Sequence, residues 1–270
     1  MMIKNTLSIA GVDPSGGAGV LADVKTMSAL GTYATAVIAA LTAQNTQAVT
    51  GIQTVPPDFI ALQIDTLFDD VRIDGVKIGM LGEAKVSQIV SDKIAQYQPP
   101  FVVLDPVMVA KSGDLLLAKE AVASLLEGLV QQAHMITPNL PESGVILRQR
   151  APETVKEMYA TAERLHKLMS DKDERWVLLK GGHLSTEETV DLLFNGDKML
   201  EIPGRKIHTR NTHGTGCSLS SAVCALQARL QDVPEATRQA CHYIHQAISR
   251  ADELSVGQGH GPIHHFHAQW

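Results

Sequence analysis

Three short stretches of this sequence hold residues whose types and spacing can move a phosphoryl group. The first is Gly214-Thr215-Gly216-Cys217, where small residues run directly into an amphipathic segment. A glycine turn that opens a helix gathers unpaired backbone N–H groups at the positive end of the helix dipole, which makes an anion site. Such a site acts best on charge that builds during transfer. Cys217 stands at that terminus, where a thiol pKa is expected to fall, fitting it as base or nucleophile. The plain alternative is a buried structural cysteine behind a glycine turn. The second stretch pairs Asp105 with Glu142, each just beyond an apolar run. A hard cation bridging nucleotide phosphates asks for one or two such carboxylates plus water. Singly, Asp105 also reads as a strand-end turn residue before Pro106, and Glu142 as an acid favoured at a helix start. The third is Lys180-Gly-Gly182, whose ammonium can reach a phosphate or simply lie in solvent.

A fourth segment, Gly11-Val-Asp13-Pro-Ser15-Gly16-Gly17-Ala18-Gly19, contains G-x-x-x-x-G. It lacks the Lys-Ser/Thr of a Walker loop and the dinucleotide spacing, so it is not a P-loop. It reads equally as a turn that lets a ligand approach the backbone and as a flexible connection.

The elements that must position these residues alternate. Strand-length apolar runs Leu7 to Ala10, Val76 to Gly79, Phe101 to Leu104, Met135 to Thr137 and Trp176 to Leu179 are interleaved with helix-length amphipathic segments. The helices are expected over Ala18 to Leu30, Asp58 to Phe68, Glu83 to Tyr97, Leu115 to Val130, Pro152 to Ser170, Ser218 to Leu230 and Pro234 to Leu254. Near-continuous apolar strands fit a parallel sheet covered on both faces, the α/β class. Thr189 to Phe194 and Met199 to Ile202, joined by Asn195-Gly196-Asp197, signal a hairpin and so an antiparallel edge. In such sheets ligands lie beyond the carboxyl ends of the strands, where all four segments fall. No repeat or low-complexity linker divides the chain, and a single domain over residues 1–270 is expected.

At 270 residues the chain can bury a large core, and its three cysteines carry no CxxC spacing, which points away from a disulfide framework or zinc site and toward a reducing cytoplasm. The opening residues lack the apolar core of a signal peptide. The apolar stretch Ala34 to Leu41 is far short of the ~20 residues that cross a bilayer, so no membrane association is expected. A net charge of −6 with scattered Lys and Arg argues against nucleic acid as partner. The tail Gly257 to His267 is rich in histidine, and its Gly-Pro punctuation reads as an ordered surface loop rather than a metal tract.

Gly214-Thr-Gly-Cys217, Asn139-x-x-Glu142 and a C-terminal helix pair make the chain resemble the ribokinase-like superfamily. Ala10-Gly-Val-Asp-Pro-Ser-Gly-Gly-Ala-Gly19, Ala22-Asp23-Val-Lys25-Thr26, Thr42-Ala-Gln44-Asn45-Thr46, Asp105-Pro-Val-Met108, Thr137-Pro-Asn-Leu-Pro-Glu142 and Gly259-His-Gly-Pro262 narrow the resemblance to the bacterial hydroxymethylpyrimidine/phosphomethylpyrimidine kinases of thiamine biosynthesis, over Leu7 to Phe266. The resemblance implies a three-layer αβα fold with a mostly parallel sheet and an antiparallel edge hairpin. It further implies ATP-dependent phosphorylation of 4-amino-5-hydroxymethyl-2-methylpyrimidine and then of its monophosphate at one site, with Mg2+, in a homodimer. By the same resemblance Gln44, Gly11, Met80, Val107 and Asp23 bind the substrate, and an amide at Gln44 can both donate and accept along an aminopyrimidine edge. Asn139, Lys180 and Thr215 serve the nucleotide, Asp105 and Glu142 the metal, and Gly214, Thr215, Gly216 and Cys217 form the catalytic anion hole. Many sugar kinases of the superfamily have Asp in place of Cys217, and that departure favours the pyrimidine and pyridoxal branch. A pyridoxal kinase is the nearest competing reading, and a non-catalytic vitamin-binding regulatory protein a more distant one.

Overall fold

A computed structural model describes residues 2–108, 119–171 and 173–270, with side chains omitted at 119–121. The elements run β1 (Asn5–Val12), α1 (Gly19–Ala29), β2 (Tyr33–Gln44), β3 (Val49–Thr54), α2 (Pro57–Asp70), β4 (Gly75–Ile78), α3 (Ala84–Tyr97), β5 (Val102–Leu104), α4 (Lys119–Glu127), α5 (Leu129–Gln132), β6 (Met135–Ile136), α6 (Leu140–Leu147), α7 (Val155–His166), β7 (Trp176–Leu179), β8 (Glu188–Phe194), β9 (Met199–Arg205), α8 (Thr215–Leu230) and α9 (Val233–Ser249). They build one nine-stranded sheet in the order β3-β2-β1-β4-β5-β6-β7-β8-β9. The strands from β2 to β7 are parallel, and β8 and β9 add the expected antiparallel hairpin at one edge.

The strands are apolar in both phases of their alternation because both faces are covered. Leu7, Ile9, Val76, Ile78, Val102, Leu104, Ile136, Val177 and Leu179 belong to one buried cluster, with Ile60 and Ile64 of α2, Val86 and Val90 of α3 and Met158 and Leu165 of α7. Val103, Met135, Trp176 and Leu178 point the other way, to Leu219, Val223 and Leu226 of α8 and Ala236, Ala240 and Ile244 of α9. Two helix starts are fixed by reciprocal side-chain caps, Asn139 with Glu142 on α6 and Thr154 with Glu157 on α7.

Several expectations need correction. The sheet has a second antiparallel edge, since β3 folds back on β2; the exposed residues of β3 hid it from an apolar-run reading, while β2 occupies the apolar stretch Ala34 to Leu41 that was not read as a strand. The helix expected over Leu115 to Val130 is broken at Gly128 into α4 and α5, and its first residues lie outside those described. The last long helix ends at Ser249 rather than Leu254, followed by a short 3-10 turn over Ala251–Glu253. The histidine-rich tail is not a surface loop throughout: Pro262 to His265 are buried, His264 packs on Trp270, and the Tyr243 hydroxyl donates to the His265 carbonyl at 2.6 Å.

Candidate active site

Strand order reverses between β1 and β4, since β1 pairs with β2 on one side and β4 on the other. Open α/β sheets form their ligand crevice at such a point, beyond the carboxyl ends of the strands. β1 ends there in the Gly11–Gly19 loop, β4 in Gly79-Met80, β5 in Asp105, β6 in Thr137–Asn139 and β7 in Lys180. Distant parts of the chain thus reach one cleft because each follows a parallel strand.

One end of this cleft is built from fixed charge. Lys180 Nζ lies 3.1 Å from Asp105 Oδ1, and the Thr137 hydroxyl donates to the same oxygen at 3.1 Å. Asp105 is buried, so the ion pair is held in a medium where charges act strongly. A methyl built on Gly216 would lie 3.5 Å from Lys180 Nζ and 3.7 Å from Asp105 Oδ2, so the anion turn faces this pair directly. α8 starts at Thr215, and its first intrahelical bond runs from Ser218 N–H to Gly214 O at 2.9 Å. The amides of Gly216 and Cys217 therefore head the helix and point along its axis into the cleft. Gly214 has φ +80°, and a methyl there would lie 1.7 Å from Gly17 O; only glycine allows the two loops to meet.

Glu142 has two duties. Its carboxylate accepts from Asn139 N–H at 2.8 Å while its own N–H donates to Asn139 Oδ1 at 2.8 Å, so the helix-start reading of this residue is realised. It is also buried, and that burial, with the Asp105 charge nearby, pushes its carboxyl up to about 7 against the pull of Lys180. Burial likewise disfavours the Lys180 ammonium, but the carboxylates of Asp105 and Glu142 outweigh it and hold its pKa above the ordinary lysine range. Two carboxylates beside a lysine are hard oxygen donors. That donor set fits a magnesium ion.

Cys217 departs from the expected acidity. It is half-buried, its surroundings desolvate it, and Asp23 and Asp105 oppose a thiolate; together these outweigh Lys77 and the Gly19 N–H and push the thiol up to about 11. The helix terminus alone does not set its pKa, because burial and neighbouring carboxylates oppose it.

The other end of the cleft is neutral and more open. The Gly11 N–H donates to Met80 O at 3.1 Å, and a methyl on Gly11 would meet Met80 Cε at 2.9 Å, so these two expected ring contacts share a wall. Half-buried Val107 follows Asp105 on the next strand end. Gln44 closes β2 at a register shift, a device that re-aims a side chain, and its Oε1 lies 3.1 Å from Thr42 Oγ1. Asp23 is not at the surface of this cleft. It is fully buried, with Oδ2 accepting from Ser8 at 2.6 Å and Lys77 at 2.8 Å and Oδ1 from Ser221 at 2.8 Å.

The motif reading passed over the joint between the two glycine loops. Asp13 Oδ2 accepts from His213 Nε2 at 2.7 Å and from Ala18 N–H at 3.0 Å, and Asp13 Oδ1 accepts from Ser15 N–H at 2.9 Å. Burial would raise the Asp13 pKa, but the bonds from His213 and Ser15 outweigh it and keep the carboxyl below its usual range. His213 N–H donates to Gly261 O at 3.0 Å, and the same C-terminal loop reaches Thr46 through His260 N–H at 2.9 Å. The C-terminal loop is therefore bonded both to Thr46, two residues past Gln44, and to His213, which precedes the anion turn. The sequence signal was a lone Asp and a lone His inside glycine-rich turns, 200 residues apart.

A covered parallel sheet whose crevice ends in a helix-capping anion turn is the architecture of ribokinase-like kinases. It superposes on the ADP complex of Bacillus subtilis pyridoxal kinase with a TM-score of 0.90, 32% identity and 99% of each chain covered. Within that class the chain belongs to the phosphomethylpyrimidine kinase family, whose pattern matches residues 13–264. It is 47% identical over 266 residues to the hydroxymethylpyrimidine/phosphomethylpyrimidine kinase of Escherichia coli K12, covering 98% of both chains. A crystal structure of phosphomethylpyrimidine kinase from Clostridium difficile 630 is 37% identical, covers 91% of this chain and 99% of its own, and superposes with a TM-score of 0.80. The chain is a kinase, and nucleotide complexes of its structural neighbours support ATP as the donor.

Proposed function

We propose that this kinase transfers the γ-phosphoryl group of ATP to the hydroxyl of 4-amino-5-hydroxymethyl-2-methylpyrimidine and then to the resulting monophosphate, for thiamine biosynthesis. The observation that carries this reading is the two-ended cleft. The neutral wall of Gly11 and Met80, which Val107 and Gln44 would extend, suits a small heteroaromatic ring, and the charged end of Asp105, Lys180 and the α8 head suits a transferring phosphoryl group.

Phosphoryl transfer passes through a loose transition state, so positioning and charge neutralisation dominate. In this reading Gln44 orients the ring by donating and accepting at its amino edge. Gly216 and Cys217 offer backbone N–H groups to the moving phosphoryl oxygens, and Lys180, held by Asp105, adds a positive charge. Asn139 and Thr215 lie on the nucleotide side. Asp105 and Glu142 would hold magnesium, which when bound supplies charge neutralisation at the phosphates. Cys217, carrying its proton at neutral pH, acts by position rather than as a preformed thiolate. A cytoplasmic homodimer completes the proposal.

A second reading, a pyridoxal kinase, is favoured by the close superposition on pyridoxal kinases. Coupled ADP-release assays with both alcohols, followed by phosphorus NMR of the products, separate the two. The pyrimidine is expected to turn over faster and proceed to a diphosphate. Faster turnover of pyridoxal, with no diphosphate from the pyrimidine monophosphate, would sink the assignment.

A further inference from the structure

Lys77 is a fully buried cation that the site described so far leaves unused. In β4, Val76 and Ile78 point into the apolar cluster, so Lys77 points the other way, toward α1 and α8. It is fully buried, with its ammonium 2.8 Å from Asp23 Oδ2. Against the pair, Ser8 of the sheet and Ser221 of α8 are polar and fully buried where an apolar core would be expected. Gly79 leaves the ammonium its space, since a methyl there would lie 2.7 Å from Lys77 Nζ. Asp23 is tied to the second turn of α8 by Ser221, and Cys217 stands one helical turn nearer the cleft on the same helix.

A buried ion pair with no exposure is poor value for stability alone, because desolvation offsets most of the attraction. It is well placed for electrostatic preorganisation, since a fixed charge in a dry site acts on nearby charge without reorganising. We propose that Lys77, carried in place by Asp23, is a positioning residue of the phosphoryl transfer, supporting from beneath the negative charge that gathers at Cys217 and the head of α8. This rests on the kinase reading of the site but not on which alcohol is the acceptor.

The charged groups facing Cys217 are Lys77 from β4, Asp23 from α1, Asp105 after β5 and Lys180 after β7. Burial disfavours the Lys77 ammonium, yet Asp23, Cys217 and Asp105 together keep its pKa above the ordinary lysine range, so it stays charged. The two partners of the pair therefore act on Cys217 with opposite signs.

The test is the pH profile of Cys217 alkylation by iodoacetamide, followed by peptide mass spectrometry in the full chain without nucleotide or metal. Lys77→Met leaves Asp23 unbalanced and should slow alkylation at about pH 8 by about tenfold, the equivalent of one pKa unit upward. Asp23→Asn keeps the hydrogen bonds of Ser8 and Ser221 but frees the ammonium, and should speed alkylation and move the profile down. The double variant should return to within a few-fold of the parent. Turnover should follow the same order while the Michaelis constant for the alcohol changes less. Shifts of the same sign in both single variants, or an unmoved profile in folded Lys77→Met, overturn the proposal. If Lys77→Met does not fold, the sign of the Asp23→Asn shift decides, and slower or unchanged alkylation refutes it. Failure of the pyrimidine assay alone leaves this readout intact.

Discussion

The two ends of the cleft are held by different physics. At the end proposed for phosphate, Asp105 and Glu142 are buried and Lys180 nearly so, and each is fixed by at least one protein partner within about hydrogen-bond distance. At the end proposed for the ring, Gln44, Met80 and Val107 are half-buried and neutral, and Gln44 sits on a strand whose outer neighbour β3 is largely exposed. Removing a locked charge strands its partner, whereas removing a neutral contact costs only that contact. The phosphate end should therefore govern rate, and the ring end affinity.

The largest effect is expected from Asp105→Asn. It takes from Lys180 its hydrogen-bonded counter-charge before the anion turn, and turnover should drop by about 100-fold or more, with thermal denaturation reporting any loss of stability separately. Cys217→Ala should lower turnover by about 100-fold at most, the scale of a single acid-base group. Calorimetry should show pyrimidine binding little changed. The parent profile adds a sharper check. A general base with a pKa near 11 would give turnover rising tenfold per pH unit above neutrality, whereas transfer governed by position gives a flat one. Gln44→Ala should raise the Michaelis constant for the alcohol about tenfold, the loss of one or two hydrogen bonds, with turnover nearly intact. An unaltered Michaelis constant would remove Gln44 from the ring end.

The smallest effect concerns Glu142 and is read as stability. Its folded pKa is raised to about 7 from 4.5, so between those values the folded state binds the extra proton. Stability from this group is greatest below its unfolded pKa and is lost as pH rises toward 7. Glu142→Gln can still make the reciprocal cap with Asn139 and should flatten that segment of the melting-temperature profile. An unchanged slope would mean that Glu142 is not the group that titrates there.

Much of this was legible because it is local. Apolar runs of strand length gave the five parallel strands nearest the motifs, and Asn195-Gly196 gave the β8–β9 hairpin. The edge strand β3 was illegible for an equally local reason: Val49 and Ile52 are exposed, and it gains its place by hydrogen bonding to β2 rather than by burial, whereas β2, with Val37, Ala39 and Ala40 in the core, lay in the apolar stretch Ala34 to Leu41 that was weighed only as a membrane span. The Asp13–His213 joint and the Lys77–Asp23 pair were illegible for another. Their partners lie 200 and 54 residues apart, and a single Lys in an apolar strand carries no sign of what faces it.

By itself the sequence determined which residues stand at the ends of parallel strands, because alternation and glycine turns are short-range properties, and strand ends are where such a sheet binds ligands. What it could not decide was the balance of charge those residues meet. The helix terminus that should acidify Cys217 is overruled by burial and by two carboxylates brought from α1 and the end of β5, and Asp23, expected to bind substrate, is the buried anchor of a lysine. Only the tertiary structure sets those outcomes, because electrostatic energy depends on distance and solvent access between residues that the chain keeps far apart.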